Sequence, residues 1–280
     1  MKLRFTAIIL LIFLMGAMAM AEDKPKLGWT KELVGSINLT QTSFDNWSQG
    51  GENSVAWQLN LNGKFVNEQE KYRWANSGKV SFGKIKSGDQ ETRKSVDEIK
   101  LESVLTYKAG LPVEPYVALT GETQMAKGYN YTETDKIVVS DIIDPLYLTQ
   151  SVGLGFKPNE TIMTRLGAAL KETISDKYGY ADDPDTPDKI ETSKVEVGAE
   201  SVTDFKRKLA ENILLTSKLE LFSNLKALKD VDVRWDTILS AKVAKYVDVN
   251  FNVKLFYDSD ISKKRQLKQA LAVGLTYSFL

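Results

Sequence analysis

From residue 30 onward apolar and polar residues alternate along the chain, the period of a strand with one apolar face. The C-terminal stretch LKQALAVGLTYSFL is the clearest case. Leu267, Leu271, Val273, Leu275, Tyr277 and Phe279 alternate with Lys268, Ala270, Ala272, Gly274, Thr276 and Ser278. Val55, Trp57, Leu59 and Leu61 alternate with Ser54, Gln58, Asn60 and Asn62, and Val249, Phe251, Val253 and Leu255 with Asp248, Asn250, Asn252 and Lys254. The pattern predicts about 12 strands, starting near residues 31, 54, 72, 95, 113, 146, 160, 190, 210, 231, 247 and 266. No amphipathic helix of convincing length and no fixed sequence repeat interrupts them.

The connections between these strands also alternate. Those near 67–71, 109–112, 157–160 and 245–247 are short. Those near 84–96, 122–145 and 174–190 are long and rich in charge, glycine or proline, and those near 204–211 and 258–265 are intermediate. Short turns at one rim and long loops at the other are the pattern of a membrane β-barrel. The fold expected is all-β: one closed, antiparallel, up-and-down transmembrane barrel.

Alternation leaves open which face is outside, because a soluble sandwich or ligand carrier buries its apolar face whereas a membrane barrel turns it to lipid. The polar faces here carry opposite charges in pairs. Trp29, Trp47, Tyr72, Trp74, Tyr107, Tyr246, Tyr257, Tyr277 and Phe279 cluster near strand ends, as in interfacial girdles. The last strand, with alternate aromatics up to Phe279 and closing on Leu280, resembles the terminal signal read by the barrel-assembly machinery. Closure also pairs every backbone group, as lipid demands.

Residues 1–21 read as a signal peptide: Lys2 and Arg4, an apolar run over 5–15, then Ala19-Met20-Ala21 as a cleavage pattern. Residues 22–280 are then the barrel, placed in the bacterial outer membrane with its lipid and the assembly machinery as partners. Lysine plus arginine and aspartate plus glutamate both number 37, so net charge points to no nucleic-acid partner. Histidine and cysteine are absent. That removes His-based proton transfer, Ser-His and Cys-His nucleophiles and most zinc sites, so neither catalysis nor a metal or other cofactor is expected. A barrel enzyme acting on membrane lipid would need another base, and no such trio stands out.

The stretch FDNWSQGGENS at 44–54, GYNY at 128–131 and VSDIIDPLYLTQSVGLGFKPN at 139–159 resemble a bacterial outer-membrane family defined as a domain of unknown function. Its members share N-W-x-x-G-G-x-N-S after the first strand and a later strand ending Y-L-x-x-x-x-G-L-x-F/Y-K-P-N. The resemblance implies an exported β-barrel and supplies no activity.

Two sets of residues are candidate sites. The inward parity gathers Arg165, Lys171, Glu196, Glu200, Lys218, Glu220, Asp232, Arg234 and Asp236. They either line a pore and set its selectivity for a small polar solute, or fill the lumen as a salt-bridged network; mixed signs on adjacent strands favour the packed or narrow lumen. In the first long loop, Phe44, Asn46, Trp47, Gly50, Gly51 and Asn53 combine amides with aromatics. Turn chemistry explains most of them, while amides beside Trp47 also suit capture of a sugar or peptide. The acidic YADDPDTPDK at 180–189 lacks the turning glycine and closing glutamate of a calcium loop.

Overall fold

In the computed structural model described residues are 27–45, 51–132, 135–182, 191–259 and 262–280. The expected signal peptide lies outside them. Twelve strands close a barrel: β1 (Gly28–Thr42), β2 (Ser54–Glu68), β3 (Tyr72–Ser87), β4 (Arg93–Tyr107), β5 (Val113–Thr123), β8 (Leu146–Phe156), β9 (Ile162–Ile174), β10 (Ser193–Ala210), β11 (Ile213–Asn224), β12 (Val231–Lys242), β13 (Val247–Asp258) and β14 (Ser262–Ser278). Each is antiparallel to its neighbours in chain order, and β14 closes on β1. Two short strands, β6 (Gly128–Tyr131) and β7 (Lys136–Ser140), form a separate hairpin between β5 and β8.

The barrel is inside-out relative to a soluble protein. Leu271 is 67% exposed and Leu166 64%, whereas Arg165 is 6% and Lys171 7% exposed. The apolar parity therefore forms the lipid-facing wall, and the charged parity fills the middle. Trp29 lies 6.0 Å from Trp74, and Tyr277 lies 6.3 Å from Tyr246 and 5.0 Å from Phe279, ring to ring, at the rim that carries both ends of the barrel. We call this the terminus rim and the opposite one the loop rim. Placing a lysine at Leu271 or Val273 puts a charge into the lipid-facing wall, so Leu271→Lys and Val273→Lys are expected to cost about 2–4 kcal/mol. The inward-facing Ala272→Ser is expected to be tolerated. Heat-modifiable migration and denaturant titration check both; equal behaviour of the two classes would overturn this facing.

Three expectations about connections change. The segment 84–96 reads as a long loop, yet β3 and β4 continue through it and leave only 88–92 as the turn. Likewise β10 runs to Ala210, leaving a two-residue turn at 211–212, and β14 begins at Ser262 rather than near 266. Strand ends that project beyond lipid need no apolar face, so charged sequences such as KIKS and KRKL remain in the sheet on backbone pairing alone. The connection over 122–145 holds the β6–β7 hairpin, whose strands of four and five residues are too short to show a period.

The long connections at the loop rim are tied to the barrel. The Asp97 carboxylate accepts from the backbone N–H of Met125 at 2.8 Å and of Ala126 at 2.9 Å. Lys94 donates to Asp97 at 2.9 Å and to the Ala126 carbonyl at 2.7 Å. Asp144 then joins this connection to the next, accepting from the Ser175 hydroxyl at 2.6 Å and from the backbone N–H of Asp176 and Lys177 at 3.3 and 3.2 Å. Burial, and after it the Asp144 charge, pushes the Tyr180 phenol above its ordinary range. A hydrogen bond to Glu91 holds the Lys136 ammonium above its own.

Candidate functional site

The lumen is built from alternate residues of strands that stand far apart around the ring. On β4, Glu98, Lys100 and Glu102 point inward from successive alternate positions. Glu98 accepts from Lys254 on β13 at 2.5 Å, Lys100 donates to Glu220 on β11 at 2.6 Å, and Glu102 accepts from Lys218 on β11 at 2.8 Å. Lys79 on β3 donates to Asp236 on β12 at 3.1 Å, and Glu122 on β5 accepts from Arg234 on β12 at 2.5 Å. Each of these five pairs joins strands five places apart the short way round a ring of twelve. Opposite walls are thus bridged directly by side chains.

The bridges link into two groups. Arg165 donates to Glu102 at 2.8 Å, and Lys218 lies 2.8 Å from Glu102 and 3.6 Å from Glu220; Lys100 continues the chain to Glu122 at 3.6 Å and so to Arg234. Lys79, Glu98, Lys254 and Asp236 close a ring of alternating charge, with separations of 3.3, 2.5, 3.5 and 3.1 Å. Nearer the loop rim, Lys171 is surrounded by Asp232 at 2.6 Å, Asp258 at 3.2 Å and Glu196 at 3.6 Å. Buried charges hold in low dielectric only where such partners replace water.

All nine lumen residues expected from parity face inward, but most partners differ from the expected neighbours. Glu220 and Arg234 are directly opposite on adjacent strands, as are Lys218 and Asp236, yet Arg234 bonds Glu122, Lys218 bonds Glu102 and Asp236 bonds Lys79. Lys171 and Glu196 are opposite and in contact. Glu200 is buried, with Oε2 lacking a hydrogen-bond partner among the described residues. Lys79, Glu98, Lys100, Glu102, Glu122, Lys254 and Asp258 complete the network and were not singled out from sequence. Their parity is as clear as that of the nine; what the sequence lacks is which opposite wall each one reaches.

Around the bridges, and reaching from them toward the terminus rim, the lumen holds a cavity of about 660 Å³. Glu32, Lys64, Arg73, Asp204 and Lys206 line its rim end, and Lys79 and Lys100 stand among its deeper walls. The interior is therefore not a uniform plug: the cross-lumen ion pairs border open space.

In the loop after β1, the Phe44 N–H donates to Asn53 Oδ1 at 2.6 Å. Gly51 has φ +137°, and its missing side chain makes room for the Phe44 ring; a Cβ there would lie 2.6 Å from that ring. Both features fit the turn chemistry expected of Gly51 and Asn53. Asn46, Trp47 and Gly50 lie outside the described residues, as do Asp183, Asp185 and Asp188 of the acidic loop.

A family model described as "Protein of unknown function (DUF3078)" matches residues 39–129. The match takes in the FDNWSQGGENS stretch and ends within GYNY. A search of curated proteins finds no match. Among solved structures the chain is similar to the translocator domain of the autotransporter NalP from Neisseria meningitidis, at 11% identity over 92% of this chain and 90% of that one, with a TM-score of 0.41. It is also similar to an outer-membrane channel from Pseudomonas putida F1, at 11% identity over 92% and 99%, TM-score 0.40. A third is the outer-membrane channel DcaP of Acinetobacter baumannii, at 9% identity over 93% and 100%, TM-score 0.33.

Proposed function

We propose that the protein is a non-catalytic barrel of the bacterial outer membrane, delivered by cleavage of residues 1–21 and inserted by the barrel-assembly machinery. In this reading it acts as a passive channel for small polar solutes, with the cross-lumen ion pairs as its constriction and filter. The observation that carries it is the cavity of about 660 Å³ among the cross-lumen ion pairs, reaching toward the terminus rim. A lumen serving only to hold the wall together needs no such chamber. Rings of charged side chains are the usual means by which a barrel lumen selects among polar solutes. The absence of histidine and cysteine, together with the pairing of the central carboxylates to lysine or arginine, favours transport over catalysis.

Conductance in a planar bilayer tests this reading. The wild-type barrel is expected to conduct weakly. Removing both members of one bridge avoids leaving an unpaired charge, so Lys100→Gln with Glu220→Gln is expected to raise conductance severalfold without loss of folding. If neither the wild type nor the double variant conducts, the barrel is a scaffold with a permanently filled lumen and the channel reading fails.

A further inference from the structure

The wall of the barrel is unevenly zipped. Among the described residues, β1 pairs with β2 over its full length, from Gly28↔Glu68 to Thr42↔Ser54. With β14 it pairs only from Val34↔Ser278 to Leu39↔Val273. Above that point β14 continues paired to β13, through Ala272↔Asn250 up to Gln266↔Phe256, and β1 continues paired to β2 through residues 40–42. The edges that these two segments turn toward each other have no ladder partner among the described residues. They lie level with the outward-facing Leu39 and Leu271, in the half of the lipid-facing wall nearer the loop rim. Lipid tolerates no open sheet edge, because it offers the backbone no partner. Something polar enough to satisfy that edge, or thin enough to pass it, belongs there.

The inner side of the gap is shaped for a narrow guest. The inward positions of β14 along it are Ala270 and Ala272, both small. Above them stands Lys268, also inward, directly opposite Lys254 on β13. Lys254 is held by Glu98 and Asp236. The Lys268 ammonium instead donates to the Ser95 carbonyl at 2.7 Å, with no carboxylate within ion-pair distance among the described residues. Its charge is therefore available to an anion. On the outer side, Leu271 and Val273 are 67% and 54% exposed, and Leu39 54%. A cation nearer the loop rim, with apolar flanks running from it toward the middle of the membrane, matches the orientation of a lipid in the leaflet on that side, its head at the surface and its tail inward.

We propose that the β1–β14 seam is a lateral portal between the lumen and that leaflet, and that its guest is a single-chain anionic amphiphile. The carboxylate or other anionic head pairs with Lys268, and the chain lies between Leu39 and Leu271. This goes beyond a conduit for polar solutes, which needs only the two rims.

The test uses laurate as the probe and the full barrel in lipid nanodiscs. Continuing the observed register places Thr40 opposite Ala272. Because the chain has no cysteine, Thr40→Cys with Ala272→Cys gives one disulfide that zips the seam on oxidation. The reduced double variant is expected to bind laurate as the wild type does, and the oxidised one at least tenfold more weakly. Where the disulfide does not form, Ala270→Trp, which fills the gap from inside, takes its place with the same expected loss. Lys268→Gln is expected to weaken laurate at least tenfold and to leave dodecanol unchanged. No saturable laurate binding by the wild type, unchanged binding by the zipped or filled seam, or unchanged laurate binding by Lys268→Gln would each overturn the portal. Ion conductance in a planar bilayer, measured on the same samples, reports separately on the polar-solute reading.

Discussion

Replacing Arg165 with alanine is expected to destabilise the barrel by about 3–5 kcal/mol, the cost of leaving a buried charge without its partner. Arg165 is 6% exposed and donates to Glu102 at 2.8 Å. Without it, Glu102 keeps only Lys218 and faces a void where the guanidinium and the stem stood. The Tyr116 ring, 5.8 Å from that guanidinium, loses a packing and cation–π neighbour as well. Arg165→Met together with Glu102→Gln removes the charge from both ends while keeping volume, and is expected to cost much less, since a matched apolar or neutral pair is often as stable as a buried ion pair. Thermal melts in detergent, read by heat-modifiable migration, separate the two. If Arg165→Ala melts with the wild type and only ion selectivity moves, the lumen at this level is open water rather than a bonded constriction.

The contrast between these variants reflects how much of the molecule its sequence displays. Alternation is a local property, so the chain announces both its strands and their facing: a shift by one residue would turn Leu271 inward and Lys268 into lipid, and no other register is physically open. All twelve barrel strands are legible on this basis. What alternation does not carry is any property set by the curvature of the closed sheet. Glu220 looks paired with Arg234 because the two are opposite on adjacent strands; only closure of the sheet brings Lys100 within 2.6 Å of Glu220 and Glu122 within 2.5 Å of Arg234. The β6–β7 hairpin escapes for a different reason. It stands outside lipid, and its strands of four and five residues are too short for a period to be recognised. The incomplete β1–β14 seam is equally silent, since pairing between the first and last strands is the most distant in sequence and leaves no mark on either one.

Gly167→Ala is expected to abolish assembly of the barrel, through a contact that no sequence period reveals. Gly153 on β8 and Gly167 on β9 are directly opposite, and Tyr116 on β5 is opposite Gly153. All three face the lumen, where Tyr116 is 2% exposed. The wall bends so sharply here that a Cβ on Gly167 would lie 2.3 Å from the Val152 carbonyl oxygen and 2.7 Å from the Tyr116 hydroxyl. A Cβ on Gly153 would lie 2.1 Å from the Leu166 carbonyl oxygen. The first obstacle in each case is backbone, which cannot turn aside as a side chain does. Either the β8–β9 ladder breaks or the curvature relaxes, and relaxing it pulls apart the cross-lumen bridges that depend on the closed wall. Overpacking of this kind costs about 3 kcal/mol or more. Gly155, two residues along β8 on the same face, is the control: its Cβ would meet nothing nearer than 3.6 Å, and Gly155→Ala is expected to fold as the wild type does. Tyr116→Ala added to Gly167→Ala removes the phenol but not the Val152 carbonyl, so it is expected not to restore folding. Heat-modifiable migration after refolding into detergent scores all three. A Gly167→Ala barrel that assembles normally would show that the wall at β8–β9 is not bent as described, and rescue by Tyr116→Ala would show that the phenol, not the backbone, sets the limit.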